Sequence, residues 1–266
     1  MAAATKISNR FEKPLLSTIF KPQRLALIAY LMCGDPDLET TTLLIAALDE
    51  AGVDAIELGI PYSDPLADGP TIAAAGARAL DRGTSLESVL ELVRKAQTSV
   101  PIILFTYYNP IYQYGIDRFA YASAVAGAAG VIVPDITFEE TKNLQAALAA
   151  HGLEMPLLIA PSTPAERARA IAEESGGFVY VVSRLGVTGV AAQPDFGPLR
   201  QQLTALRAMT KKPLAVGFGI SSRTHVDAVR DLADGVMVGS ALIESYAGAR
   251  GKAAAEKARN FIRTLR

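Results

Sequence analysis

The sequence contains a single cysteine, Cys33, no tryptophan and only two histidines. One cysteine excludes an intrachain disulfide and a zinc centre built from several cysteines. The two histidines, His151 and His225, are far apart in the sequence and do not suggest a metal site either. We therefore predict no metal, and a reducing compartment fits the chain best.

An excess of charge of one sign is also missing, because 26 Lys and Arg residues face 27 Asp and Glu residues. A broad basic surface for nucleic acid or anionic membranes is therefore not expected. The longest weakly polar stretch, residues 121–134, is short for a membrane span, and residues 1–10 lack the apolar core of a secretory signal. These absences predict a soluble cytoplasmic protein that binds a small molecule.

Hydrophobic residues are abundant and make up half of the 266 residues. Short aliphatic or β-branched runs bounded by Gly or Pro alternate with helical patterns, which is typical of parallel strands joined by helices. Eight runs predict strands, at residues 25–32, 55–59, 102–107, 130–133, 155–159, 178–183, 214–217 and 235–239.

The segments around these strands predict helices at residues 7–20, 40–51, 85–98, 116–128, 141–151, 164–175, 198–209, 223–232 and 252–265. Ser85 and Thr163 stand where side chains cap free helix N–H groups. Eight strands alternating with helices predict one α/β domain over residues 1–266, a (β/α)8 TIM barrel with an extra N-terminal helical segment. The alternative, an open doubly wound sheet, lacks the glycine-rich fingerprint expected after its first strand.

The second strand carries a charged residue, Glu57, between Ile56 and Leu58. Side chains alternate along a barrel strand, so Glu57 is expected to point into the barrel. Burial would raise its pKa toward neutrality, which is the property that a general acid/base needs. Residues 55–59 alone are equally compatible with a general acid/base and with a structural carboxylate paired with an Arg or a backbone amide.

The connection after this strand, residues 60–71, carries Asp64, Asp68 and three prolines. Prolines restrict the backbone, so ordering this loop over a ligand costs less entropy. We interpret it as a lid that brings a second carboxylate to the site. A rigid turn with solvated aspartates is the alternative.

Glycines follow the last two predicted strands, Gly217 and Gly219 after the seventh and Gly239, with Ser240, after the eighth. Glycine lets backbone N–H groups approach an anion closely, and barrels often hold phosphate at these two loops. The pair therefore favours a phosphate site. A glycine-flanked segment after the sixth strand, residues 183–189, is suited to closing over a ligand as a gate.

Five segments resemble the tryptophan synthase alpha family in their order and spacing: residues 34–36, 57–71, 107–110, 183–189 and 217–221. The match spans nearly the whole chain, and residues 61–71 are its most specific part. The resemblance implies a carbon–carbon lyase of tryptophan biosynthesis that needs no cofactor. Its reaction splits indole-3-glycerol phosphate into indole and glyceraldehyde 3-phosphate.

The resemblance also implies residue roles. Glu57 would be the acid/base that protonates indole C3 and takes the glycerol hydroxyl proton. Asp68 would hold the indole N–H and stabilise the positive charge on the ring, and Tyr180 would support the site. The implied substrate-binding residues are Tyr30 and Phe218 in the indole pocket, Thr188 linking the gate to Asp68, Tyr107, and the phosphate contacts Gly189, Gly219, Gly239 and Ser240.

The implied partner is a pyridoxal-phosphate beta subunit in an alpha2beta2 heterotetramer, with residues 61–70 and the region of Asn109 near the contact. One alternative is a regulatory subunit whose catalysis has decayed, against which the intact Glu57 and Asp68 argue. Another is a stand-alone indole-producing lyase. Cys33 matches a cysteine of a related barrel isomerase, but Ser183 occupies the place of that enzyme's aspartate, so we predict a buried thiol.

Overall fold

The computed structural model describes residues 15–183, 196–217 and 219–266. Its strands occupy the eight predicted places: β1 (Ala26–Met32), β2 (Ala55–Gly59), β3 (Ile102–Phe105), β4 (Gly130–Ile132), β5 (Leu157–Ile159), β6 (Val179–Val182), β7 (Leu214–Gly217) and β8 (Gly235–Val238). The predictions at residues 55–59 and 214–217 match to the residue, and the other strands are shorter than predicted.

The described helices are α1 (Leu38–Ala51), α2 (Pro70–Asp81), α3 (Leu86–Lys95), α4 (Tyr108–Tyr114), α5 (Ile116–Ala126), α6 (Thr141–Ala150), α7 (Ala165–Glu174), α8 (Gly197–Met209), α9 (Arg223–Asp227), α10 (Ser240–Ser245) and α11 (Gly251–Thr264). Helices α2, α4 and α10 were not predicted from the sequence. Helix α9 is shorter than the predicted helix at residues 223–232, because the chain turns after Asp227. None of the described helices has the length and hydropathy needed to cross a bilayer.

The eight strands are parallel and pair in the order β4-β3-β2-β1-β8-β7-β6-β5. The two ends of this sheet meet at an isolated parallel bridge between Gly130 and Glu154. There the Val131 N–H donates to the Glu154 carbonyl at 2.9 Å. The sheet is therefore a nearly closed barrel, which confirms the predicted fold and not the doubly wound alternative.

The first described turn closes the N-terminal end of the barrel. A 3-10 turn at Leu16–Ile19 is the described part of the segment predicted helical at residues 7–20; residues 7–14 lie outside the described residues. Leu16 and Phe20 fill space left by two glycines at strand starts, because a Cβ on Gly130 or Gly235 would lie 2.8 Å from one of these side chains. The opposite, C-terminal end of the barrel remains for the site.

The strand register places Glu57 beside Tyr30 of β1 and Ile103 of β3, so these three side chains lie on one face of the sheet. Glu57 also acts electrostatically on Tyr180 of β6, four strands away around the barrel. Such an interaction runs through the interior. The prediction that Glu57 points into the barrel is confirmed.

Candidate active site

Glu57 is the buried carboxyl group at the centre of the site. Its exposed fraction is 1 %, and Oε1 has no hydrogen-bond partner in the part of the chain that the structure describes. Burial raises the pKa of Glu57 from 4.5 to about 8, because the charged form loses its hydration. The carboxyl group is therefore predominantly protonated at neutral pH, as a general acid requires.

Asp68 supplies a second carboxyl group from the connection between β2 and α2. Burial raises the pKa of Asp68 to about 6, while a hydrogen bond from the Tyr107 side chain lowers it. Asp68 is thus largely ionised at neutral pH where Glu57 is not. Two carboxyl groups with separated pKa values are the arrangement expected of an acid and an anionic stabiliser.

Tyr107 fixes the loop that carries Asp68. Its hydroxyl accepts a hydrogen bond from the Ala67 N–H at 3.1 Å and donates a hydrogen bond to the Asp68 carboxylate. The Tyr62 ring packs on Tyr107 with centroids 5.3 Å apart. The loop is shorter than the predicted residues 60–71, since α2 begins at Pro70. Proline at the first helical position lacks an N–H that would be unpaired there anyway.

Tyr30 and Tyr180 bring two buried hydroxyl groups to the same space. Burial raises the pKa of both phenols well above the usual value, and the charges of Glu57 and Asp68 raise them further. Both tyrosines therefore lie within electrostatic range of both carboxyl groups. The four side chains singled out from the sequence converge at the C-terminal end of the barrel.

Two glycines that the sequence did not assign to the carboxylate site make room for these tyrosines. A Cβ on Gly59 would overlap the Tyr30 hydroxyl and lie 2.9 Å from Cζ, and one on Gly217 would overlap the Tyr180 ring and hydroxyl. Each glycine ends the strand next to the one that carries the tyrosine. Only the strand register reveals this requirement, because no local sequence signal links a tyrosine to a glycine so far along the chain.

Gly219, Gly239 and Ser240 follow the neighbouring strands β7 and β8. Gly219 has a φ of +94°, in the left-handed region that favours glycine. Gly239 lies directly before α10 and against Tyr30, whose Cβ would be 3.5 Å from a Cβ at this position. The structure thus brings these three residues to adjacent strand ends. Thr188, Gly189 and Phe218 lie outside the described residues, and so does the predicted gate at residues 183–189 except for Ser183.

Cys33 and His151, which were not predicted to be catalytic, pack as parts of the fold. Cys33 is buried, and burial raises the pKa of its thiol to about 12, which keeps it uncharged. His151 follows the last residue of α6 and packs on Tyr121 with ring centroids 5.7 Å apart. Among the residues that the structure describes, no cluster of three or more His, Cys, Asp or Glu side chains could hold a metal ion.

A sequence model of the family described as "Tryptophan synthase alpha chain" matches residues 16–265. The tryptophan synthase alpha chain of Thermosynechococcus vestitus is 51 % identical over 245 residues, which cover 91 % of this chain and 90 % of that protein. That of Prochlorococcus marinus strain MIT 9313 is 46 % identical over 263 residues, covering 98 % of this chain and 94 % of the relative.

Solved structures agree with the sequence relatives. The structure of Mycobacterium tuberculosis tryptophan synthase matches with a TM-score of 0.86 and 37 % identity, covering 94 % of this chain and 96 % of that one. The tryptophan synthase alpha subunit of Legionella pneumophila matches with a TM-score of 0.84 and 35 % identity, and 97 % of each chain is covered. The match thus extends over the barrel and both of its carboxyl-bearing elements, and the chain belongs to the tryptophan synthase alpha chain family.

Proposed function

We propose that Glu57 is the acid/base of the reaction of this family, the retro-aldol cleavage of indole-3-glycerol phosphate to indole and glyceraldehyde 3-phosphate in tryptophan biosynthesis. The observation that carries the proposal is the burial of Glu57 inside the barrel without a partner for Oε1 among the described residues. A carboxyl group that holds its proton at neutral pH can first act as an acid and then as a base.

In the proposed mechanism, Glu57 gives its proton to C3 of the indole ring. The resulting carboxylate takes the proton of the hydroxyl on the carbon bonded to C3. The oxygen electron pair then forms the aldehyde carbonyl, and the electrons of the broken carbon–carbon bond return to the ring. Glu57 ends protonated, as it began, so the cycle needs no other proton donor.

Asp68 is proposed to accept a hydrogen bond from the indole N–H. Protonation of C3 places positive charge on the ring nitrogen, and a carboxylate held beside it stabilises that charge. The pKa of about 6 leaves Asp68 mostly ionised at pH 7. Tyr107, which contacts both Ala67 and Asp68, supports this position of the carboxylate.

The remaining side chains are proposed to hold the substrate. Tyr30 and Phe218 would contact the indole ring and Tyr180 would support the site, while Thr188 would link the gate to Asp68. Backbone groups at Gly189, Gly219, Gly239 and Ser240 would hold the phosphate, because glycine permits close approach of the chain to an anion. Anchoring the phosphate fixes the reacting carbon relative to Glu57.

Members of this family act with a beta subunit, and residues 61–70 together with the region of Asn109 are the proposed contact. Asn109 Nδ2 donates to the Tyr62 hydroxyl at 3.2 Å, so the loop and the start of α4 form one continuous surface. Leu66 projects from it with 82 % of its surface exposed, so a partner seated on this surface would bury an apolar side chain. A cytoplasmic location, suited to the buried Cys33 thiol, completes the proposal.

Indole release from indole-3-glycerol phosphate tests the assignment. The Glu57→Gln variant keeps the size of the side chain but removes the transferable proton, so we expect kcat to fall at least about 10²-fold. Binding of the phosphate ligand should be unchanged. Near-normal turnover by this variant would remove Glu57 from the mechanism.

A further inference from the structure

His225 lies in α9, and its ring turns back toward the connection that follows β7. The ring Nδ1 is 3.3 Å from the Ser221 backbone nitrogen, which donates to it, and 3.2 Å from the Ser221 hydroxyl oxygen. The same Nδ1 is 3.1 Å from the Gly219 carbonyl oxygen. One ring nitrogen thus contacts both ends of the turn at residues 219–221.

Two further contacts hold His225, one at its backbone and one at its ring. The His225 backbone N–H donates to the Ser222 hydroxyl at 3.3 Å, which caps the start of α9. The ring of Phe196 packs against the imidazole with centroids 5.4 Å apart. These contacts fix where Nδ1 points, so it can act as an anchor for the turn.

Either neutral tautomer of His225 anchors the turn. With Nδ1 unprotonated, it accepts from the Ser221 N–H and hydroxyl; with Nδ1 protonated, it donates to the Gly219 carbonyl. The anchor matters because Gly219 adopts a φ of +94°, and glycine loses more backbone freedom on ordering than any other residue type. Without the ring, the turn would sample other conformations.

We propose that His225 is a positioning residue that holds the turn at residues 219–221 in the shape that receives the substrate phosphate. This inference rests on the proposed function, in which Gly219 is a phosphate contact. His225 acts through the backbone and touches no reacting atom. Its loss therefore weakens binding of the substrate and its transition state equally, which raises KM without lowering kcat.

The test compares His225→Ala with His225→Asn, whose amide places a donor or an acceptor near the position of Nδ1. We expect the KM for indole-3-glycerol phosphate to rise roughly 10-fold in His225→Ala, the effect of about one hydrogen bond, with kcat within about 2-fold of the wild type. Inorganic phosphate, titrated by calorimetry, should bind correspondingly more weakly. His225→Asn should restore most of both affinities, and His151→Ala, at the other histidine, should leave them unchanged.

An unchanged KM in His225→Ala would overturn the inference, as would a fall in kcat at constant KM. Failure of His225→Asn to restore KM, with both variants showing wild-type unfolding free energies, would also overturn it. The proposed function fails separately, in the wild-type arm, if the unmodified chain releases no indole with or without a beta subunit. The phosphate titration still tests the positioning role of His225 in that case.

Discussion

Glu57 occupies a place in the barrel where an uncharged side chain would be more stable. Its neighbours across the strands are Tyr30 and Ile103, and none of the ion pairs within the described residues includes it. Ionising a carboxyl group without compensation in such surroundings costs free energy. The burial of Glu57 that is proposed to serve catalysis therefore lowers the stability of the fold, and the size of this effect depends on pH.

The stability of the fold should reflect this conflict. In the unfolded chain a glutamate ionises near pH 4.5, whereas Glu57 in the fold ionises near pH 8. Between these values the unfolded state releases the proton first, so the contribution of Glu57 to stability falls as pH rises. We therefore expect the free energy of unfolding in urea of Glu57→Gln, relative to that of the wild type, to increase by on the order of a few kcal/mol between pH 5 and pH 8.

Glu256→Gln, at an exposed glutamate of α11, is the matched control and should show no such gain. If Glu57→Gln and wild type kept a constant difference in unfolding free energy across this pH range, Glu57 would have an ordinary pKa in the fold.

The rate of cleavage should depend on pH through the same two carboxyl groups. The proposed mechanism needs Asp68 ionised and Glu57 protonated, so kcat/KM should rise through about pH 6 and fall through about pH 8. Asp68→Asn should lose the acid limb of the profile while retaining the alkaline limb. A wild-type profile that is flat from pH 5 to pH 9 would contradict these assignments.

At the scale of whole elements, the strand ends are packed so that a glycine of one strand lies under a tyrosine of its neighbour. Gly59 at the end of β2 lies under Tyr30, and Gly217 at the end of β7 lies under Tyr180. The Tyr30 ring is buried and packs edge-on against Phe105 at a centroid distance of 5.6 Å. The ring therefore cannot move aside freely to admit a methyl group.

Gly59→Ala should accordingly destabilise the fold by about 1–3 kcal/mol, the usual cost of overpacking a core. Tyr30→Phe removes the closest atom, so the double variant should lose less than the sum of the two single variants. Gly76→Ala in α2 is the matched control, because its Cβ would meet Met32 Cε at an ordinary 3.4 Å. Additive effects of Gly59→Ala and Tyr30→Phe in chemical unfolding would show that the contact is not limiting.

The aliphatic runs of the sequence were sufficient to predict all eight strands, and the alternation of side chains along a strand was sufficient to predict the inward direction of Glu57. The sequence patterns missed α2, α4 and α10. The alanine-rich α2 begins at a proline that also fits a loop, α4 contains Pro110, and α10 is only six residues long. Thr163 was expected to cap a helix, but its hydroxyl accepts from the Ala160 N–H at 3.1 Å instead, while Ser85 does cap α3.

The site was predictable as a set of residues but not as a set of contacts. Glu57 and Asp68 could be singled out because carboxyl groups are conspicuous in an apolar strand and a proline-rich loop. The hydrogen bond between Tyr107 and Asp68, and the place of Tyr30 over Gly59, depend on the loop path and strand register. Those arise only when distant segments pack together.

At the scale of the whole molecule, the loop that carries Asp68 also forms part of the proposed partner surface. Asp68 and the exposed Leu66 are two residues apart, so a partner that covers Leu66 would act on the segment that holds the carboxylate. Activation by a beta subunit is the expected consequence, since ordering this segment favours the catalytic arrangement.

Indole release should therefore be slow for the isolated chain and faster in the mixture with a beta subunit. Leu66→Asp should weaken this activation by lowering the affinity for the beta subunit, because a charge would replace a buried apolar contact. Val125→Asp, at another exposed apolar side chain, on α5, is the control and should leave activation unchanged. Fast release from the isolated chain, unaffected by a beta subunit, would instead identify a stand-alone lyase.

The most direct test is a titration of the Glu57 carboxyl group itself, by carbon NMR of protein labelled at the glutamate side-chain carboxyl and assigned by the signal missing in Glu57→Gln. We predict that the Glu57 signal remains that of a protonated carboxyl at pH 7 and titrates near pH 8. A signal that titrates near the ordinary glutamate pKa of 4.5 would contradict the account, because Glu57 would then have no proton to give at neutral pH.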